Sequence, residues 1–289
     1  MAAQPAQSQR ILVVDDDRGL RLALCTLLAD AGHVVESASD GPGALARLDG
    51  GGLDIVVLDI GLPGMSGLDV LARARARPDP PLAIVMTADD TPSTLLEAVR
   101  QQAFRYLRKP FPPSAIVEVV GDAIAAEGVA ALPIEVVSAR PEWLELVAPC
   151  ALEMTDRIQS FVMHLEADLP ESVREAVAQA FRELLTNAIE WGGRLDPDRK
   201  VRITFVRARR MLLYRIADPG EGFDIDKLRH AAVSNPPDDP IRHLDEREAR
   251  GIRPGGFGLA MTRSLVDELI YNEARNEVLL IKYLDHDPA

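Results

Sequence analysis

Cysteine is nearly absent from this chain of 289 residues: Cys25 and Cys150 stand far apart, with no CxxC pair and no neighbouring histidine cluster. That usage argues against a disulfide framework and against a zinc site, and leaves both thiols as small core residues in a reducing compartment. Long apolar runs are missing too. The longest are of strand length, well short of the roughly 18 residues a membrane-spanning helix needs. The opening segment, MAAQPAQSQR, has no secretory-type hydrophobic stretch and reads as a floppy tail. The expected location is cytoplasmic, with no membrane contact. Basic excess is also lacking: the formal net charge of -13 opposes binding to a nucleic-acid backbone. Short arginine clusters at Arg73, Arg75 and Arg77, and at Arg207, Arg209 and Arg210, read as solvated surface. What remains is a hydrophobic content of 47% with 27% charged residues, ordinary for a globular chain, in a length that suggests two domains.

The first half alternates short apolar runs with helical patterns. Strands are expected at Ile11 to Val14, Val34 to Ala38, Ile55 to Leu58, Leu82 to Thr87 and Tyr106 to Arg108. Helices are expected at Arg18 to Ala31, Asp40 to Leu48, Gly67 to Arg77, Thr91 to Gln101 and Pro113 to Ala126. Continuous apolar strands between helices predict a doubly wound parallel sheet covered on both faces, in the flavodoxin-like α/β arrangement. After a short joint at 129–132 the pattern changes. A strand is expected at Ile134 to Ser138, then one long helix or two from Pro141 to Ala167, and another helix from Pro170 to Trp191. Paired strands follow at Lys200 to Val206 and Leu212 to Ala217, and a short helix at Lys227 to Ala232. A polar, Pro- and Gly-rich loop spans Asn235 to Gly256. A helix at Gly258 to Asp267 and a final hairpin, Leu269 to Ala274 with Val278 to Leu284, close an α+β layer.

Ligands of open parallel sheets bind outside the carboxyl ends of the strands. Asp15, Asp16 and Asp17 leave the first strand there, Asp59 the third, Thr87 the fourth and Lys109 the fifth. Carboxylates that converge in this way repel one another, and an oxygen-seeking divalent cation such as Mg²⁺ relieves the repulsion. A carboxylate, a metal, a hydroxyl and an ammonium can together handle a phosphoryl group. An acidic triplet alone would do no more than cap a helix. The segments ILVVDDD, VVLDIGLPGMSGLDVL, IVMTA and YLRKPF, in that order, make residues 10–128 resemble a response-regulator receiver domain. The resemblance implies Asp59 as phosphoacceptor, Asp15 and Asp16 as metal-site acids, and the Gly61 carbonyl as a further metal ligand. Thr87 and Lys109 would be phosphate contacts. It also implies a cis peptide before Pro110, Tyr106 as the aromatic switch residue, and an upstream sensor histidine kinase as phosphodonor.

In the second half, FRELLTNAIEWGG places Glu183 and Asn187 on one helix face. Asp218-Pro219-Gly220-Glu221-Gly222 follows a strand, and Gly255-Gly256-Phe257-Gly258-Leu259 opens a helix whose free N–H groups suit phosphate oxygens. Each motif alone is weak. Together and in order they resemble the N, G1 and G2 boxes of the GHKL (Bergerat-fold) ATPases, over residues 133–285, and imply a histidine-kinase-like ATPase sandwich. By that resemblance Asp218 meets the adenine amino group, Asn187 is an Mg²⁺ ligand, and Glu183 is the general base. Gly220 and Gly222 let the backbone approach the base, and Gly256 and Gly258 let the lid close over the phosphates of ATP. LPIEVVSARPEWLELV, running into long helices, resembles the anti-sigma-factor serine/threonine kinase branch. That branch implies a sigma-like factor or a small antagonist protein as partner, and a homodimer. Trp191 stands where the branch commonly has a histidine. Two other outputs are a non-catalytic ATP-dependent switch that sequesters a partner, and a histidine kinase autophosphorylating at His164. Without an acidic residue directly after it, His164 reads as an ordinary surface or core histidine. His33, His230, His243 and His286 form no constellation. Trp143, Phe161 and Phe181 are expected in the core.

Overall fold

Every apolar run expected in the first half forms a strand. In the computed structural model, which describes residues 8–88, 91–125, 132–140, 142–166, 168–223 and 258–284, they are β1 (Arg10–Val14), β2 (Val34–Ala38), β3 (Ile55–Asp59), β4 (Leu82–Thr87) and β5 (Arg105–Arg108). Between them lie α1 (Arg18–Asp30), α2 (Gly41–Asp49), α3 (Gly67–Arg75) and α4 (Pro92–Arg100), with α5 (Ala115–Ala125) after β5. The strands are parallel in the order β2-β1-β3-β4-β5. The chain moves outward from β1 to β2, then reverses to β3 on the other side, which makes the switch point. Ile11, Val13, Ile55, Val57 and Ile84 are sealed beneath Leu24, Leu28, Ile116 and Val120, each such side chain contributing roughly 2 kcal/mol by leaving water. Helix starts follow their local chemistry: Asp17, Asp40, Ser66 and Thr91 each accept an N–H of the first turn.

The chain divides between Leu132 and Pro133 into two compact units. The second unit contains β6 (Glu135–Arg140), β7 (Trp143–Pro149), α6 (Glu153–His164), α7 (Glu171–Asn187), β8 (Lys200–Ala208), β9 (Met211–Ala217), α8 (Gly258–Leu265), β10 (Glu268–Tyr271) and β11 (Glu277–Tyr283). Six antiparallel strands form one sheet in the order β10-β11-β9-β8-β7-β6. The short helix expected at Lys227 to Ala232, the loop Asn235 to Gly256, and His230, His243 and His286 lie outside the described residues.

One element differs from the sequence reading. Residues from Pro141 were expected to begin a helix, but Trp143–Pro149 is a strand, and helix starts only at Glu153. Its alternation decides the matter: Leu144, Leu146 and Ala148 are buried on the helix-facing side. Pro149 is tolerated because β6 pairs no further than Val147. Cys150 N–H donates toward β8, to the Arg199 carbonyl, so the missing N–H of the preceding residue faces the other way, past the end of β6. The same alternation turns Trp143 outward, 42% exposed, whereas Phe161 and Phe181 are in the core as expected. Tyr214 on β9 lies between Phe181 and Phe205, at 5.1 Å centroid distance from each. Its hydroxyl donates to Oε1 of Glu166, a fully buried carboxyl just past α6. Oε2 of Glu166 has no hydrogen-bond partner among the described residues. Arg207 passes close by, held on Asp168 by two bonds of 2.7 and 2.6 Å and on the Leu165 carbonyl at 3.1 Å.

Candidate functional site

In the first unit the strand ends bring the expected groups together. Lys109 Nζ lies 2.7 Å from Asp15 Oδ2 and 2.7 Å from Asp59 Oδ2. Oxygens of Asp15, Asp16 and Asp59 all lie within 4.8 Å of one another. The triplet divides its labour. Asp17 turns away to cap α1, accepting from Leu20 N–H at 3.0 Å, and that bond, with one from Gly19, holds its carboxyl below the usual range. Asp15 is fully buried, and burial pushes its carboxyl up, against the opposing pull of Lys109. Burial works against the Lys109 ammonium, but its bonds to Asp15 and Asp59 outweigh that and raise it. Thr87 is buried at the end of β4, and its carbonyl accepts Lys109 N–H at 2.8 Å. The Lys109–Pro110 peptide is cis.

Gly61 N–H donates to Asp59 Oδ1 at 3.0 Å, which orients the carboxylate. Two residues not singled out in the sequence also shape this cleft. Arg21 Nη1 donates to the carbonyls of Asp15 and Asp16, at 2.5 and 3.3 Å. Gly67 opens α3 where a Cβ would overlap the Asp59 carbonyl, so only glycine allows the helix this close. Three carboxylates against one ammonium leave a surplus of negative charge in a partly buried cleft. That donor set fits a small, oxygen-seeking dication such as Mg²⁺.

In the second unit, Glu183 and Asn187 lie on α7, one turn apart, both partly exposed. A Cβ at Gly258 would overlap Glu183 Oε2, so the first residue of α8 rests directly against this carboxylate. Asp218 follows β9; its Oδ1 accepts from Gly220 N–H at 2.7 Å, and burial pushes its carboxyl up. Gly222 has a φ of +85°, and a Cβ there would overlap the Ala274 carbonyl. Gly256 lies outside the described residues.

Sequence reasoning missed how α7 ends. It runs into a π-helical turn, Ala188–Gly192, that presents Gly192 to the Asp218 carboxylate, where a Cβ would overlap it. Gly193 packs as tightly on Cys150, whose thiol burial pushes up to about 11. The paired glycines of EWGG were the available signal. Trp191 beside them is 49% exposed. His164, on α6, bonds through Nδ1 to the Ser160 carbonyl.

A half-buried acid flanked by close-approaching glycines, with a second acid against the start of a helix, suits a ligand that has an amine at one end and phosphates at the other. The comparisons with known proteins agree with this division. Residues 11–121 match the family model described as response regulator receiver domain, and residues 149–282 match histidine kinase-like ATPase domain. The chain is a response regulator receiver domain followed by a histidine kinase-like ATPase domain.

The sensory transduction protein RegX3 of Mycobacterium tuberculosis is 41% identical over 101 residues, which cover 35% of this chain and 44% of that protein. The DNA-binding transcriptional regulator NtrC of Azospirillum brasilense is 37% identical over 115 residues, covering 39% of this chain and 24% of that one. The chain thus spans less than half the length of these curated relatives. A solved CheY-like receiver domain from Methanospirillum hungatei is 25% identical, with a TM-score of 0.41 and coverage of 42% of this chain and 97% of that chain. Among the described residues no helix is long and apolar enough to cross a membrane.

Proposed function

We propose that this protein is a two-component response regulator in which phosphorylation of Asp59 controls an ATP-dependent serine/threonine protein kinase of the anti-sigma-factor type. The observation that carries the first half is the bridging of Asp15 and Asp59 by Lys109 at 2.7 Å each, at the mouth of a parallel sheet. An oxygen of Asp59 attacks the phosphorus of a phosphohistidine on an upstream sensor kinase. The P–O bond forms as the P–N bond breaks, and the imidazole leaves. Lys109 and Thr87 meet the phosphoryl oxygens. Asp15, Asp16, Asp59 and the Gly61 carbonyl would hold Mg²⁺, which supplies charge neutralisation for the incoming anion.

In the second unit Asp218 receives the amino group of adenine, with Gly220 and Gly222 giving the base room. Glu183 takes the proton from a serine or threonine hydroxyl of a small antagonist protein as that oxygen attacks the γ-phosphorus and ADP departs. Asn187 would ligate the Mg²⁺ that accompanies ATP; Gly256 and Gly258 serve the closing lid. A sigma-like factor is the partner held or released, and the working form is a cytoplasmic homodimer.

Labelling with a small-molecule acyl phosphate and Mg²⁺ tests the first half: label on the native chain, none on Asp59→Asn. Labelled ATP with candidate antagonists tests the second, with acid-stable label expected on the antagonist. Absence of nucleotide binding in the presence of Mg²⁺ excludes a kinase. A second reading, an ATP-dependent switch without turnover, is favoured by Trp191, which stands exposed where this branch commonly has a histidine. Glu183→Ala separates the two: partner control that survives while ATP still binds belongs to the switch.

A further inference from the structure

The hairpin between β10 and β11 belongs to none of the nucleotide motifs, yet it grips the Asp218 turn at both ends. The main-chain carbonyl of Asn276 accepts Asp218 N–H at 2.9 Å. Its side-chain Nδ2 donates to the Gly220 carbonyl, also at 2.9 Å. Asn276 is itself fixed by Asn272, whose Nδ2 donates to Asn276 Oδ1 at 2.8 Å and whose Oδ1 accepts Asn276 N–H at 3.1 Å. Arg275, at a φ of 61°, makes the bend that allows this reciprocal pair. From another side Arg199 Nη2 donates to the Pro219 carbonyl at 2.5 Å. Each residue from Asp218 to Gly220 is therefore tied to a residue outside the turn.

Such a clamp matters because of how the Asp218 carboxylate is used. Among the described residues only Gly220 N–H bonds it, at Oδ1, which leaves Oδ2 without a bond to them. The angle at which Oδ2 meets an N–H follows the orientation of the turn, and a hydrogen bond weakens steeply when its angle falls below about 120°. Asn276 Nδ2 anchors the same Gly220 whose N–H orients the carboxylate. Loosening one peptide therefore releases the other.

We propose that Asn276, backed by Asn272, is a positioning residue that sets the direction in which the Asp218 carboxylate meets the amino group of the nucleotide base. This rests on the reading of Asp218 as the base-recognising acid. Asn276→Asp keeps the side-chain shape and the acceptor facing Asn272, but cannot donate to the Gly220 carbonyl. Calorimetric titration of the full chain with ADP, and with purine riboside diphosphate, which lacks the 6-amino group, gives the readout.

The expected result is that Asn276→Asp weakens ADP about tenfold, in line with one charge-assisted hydrogen bond lost, and leaves the deaminated analogue within about threefold by the same measure. An equal loss for both nucleotides would mean that the hairpin only supports the fold, and would overturn the proposal. Asn276→Gly gives the same comparison should the aspartate variant not fold, since it keeps the main-chain bond to Asp218. Asp218→Asn distinguishes the two failures. If it leaves the preference for ADP over the analogue intact, the base-recognition reading itself is wrong. If it abolishes that preference while the Asn276 variants retain it, the positioning role alone falls.

Discussion

Glu166→Gln should flatten the pH dependence of stability of the second unit. Burial pushes the Glu166 carboxyl up to about 8 from an ordinary 4.5, while Arg207 and Arg174 pull it down and Asp168 pushes it further up. The folded value is the higher one, so the unfolded chain gives up its proton first as the pH rises. The contribution to stability is complete below pH 4.5 and is lost as the pH climbs through about 8. Each pH unit in that interval costs about 1.4 kcal/mol, so the total is on the order of 5 kcal/mol. Glutamine has nearly the same shape, still accepts from the Tyr214 hydroxyl, and does not ionise. Both tryptophans of the chain, Trp143 and Trp191, lie in the second unit. Urea unfolding followed by tryptophan emission therefore reports that unit within the intact protein. Wild type and variant should match near pH 4 and diverge from about pH 5 upward, the variant becoming the more stable by about 2 kcal/mol at pH 6 and by several kcal/mol at pH 8. Taking the difference cancels every other titrating group. Parallel curves from pH 5 to pH 8.5 would refute the reasoning.

Removing the ammonium from the receiver cleft, as in Lys109→Met, leaves Asp15 and Asp59 facing each other without compensation. The expected cost is roughly 3 kcal/mol of receiver stability at pH 7, read by calorimetry, with part of it recovered at low pH as Asp15, whose carboxyl burial pushes up, protonates. Millimolar Mg²⁺ should raise the melting temperature of the native first unit, and EDTA should reverse it. Asp15→Asn with Asp16→Asn should abolish the response, since no ligand linkage remains. Gly222→Ala forces a side chain into a φ of +85° and against the Ala274 carbonyl. A loss of at least 2 kcal/mol is expected, together with lost ADP binding by titration.

The receiver was legible because its chemistry is punctuated by its strands. Asp15, Asp59 and Thr87 each follow directly on a buried apolar run, and Lys109 comes just after the short β5, so finding the strands also located the cleft. The second unit yielded less. β7 reads as helix because Pro141 suits a helix start and Leu144, Val147 and Ala148 also fit a helical spacing. What decides for strand is pairing with β8, a contact to residues far along the chain. Trp143 was assigned to the core for the same reason, since its direction depends on strand parity. Gly192 and Asn276 were invisible as functional residues because each acts on Asp218 through tertiary approach, with no motif spacing of its own. Glu166 belongs to no motif in the sequence. Its burial comes from the sheet beneath it and cannot be read from MHLEADLP.

All the receiver's polar chemistry is gathered on one rim of its sheet, the rim where the strands finish. The opposite rim, where Gly32, Gly51 and Gly52 turn the chain with positive φ and Gln102 does the same before β5, carries none of those groups. A fluorophore or affinity handle grafted at Gly51 would therefore ride on the quiet end of the sheet. The proposed phosphorylation of Asp59 at the far end could then be followed with the label held on the opposite rim.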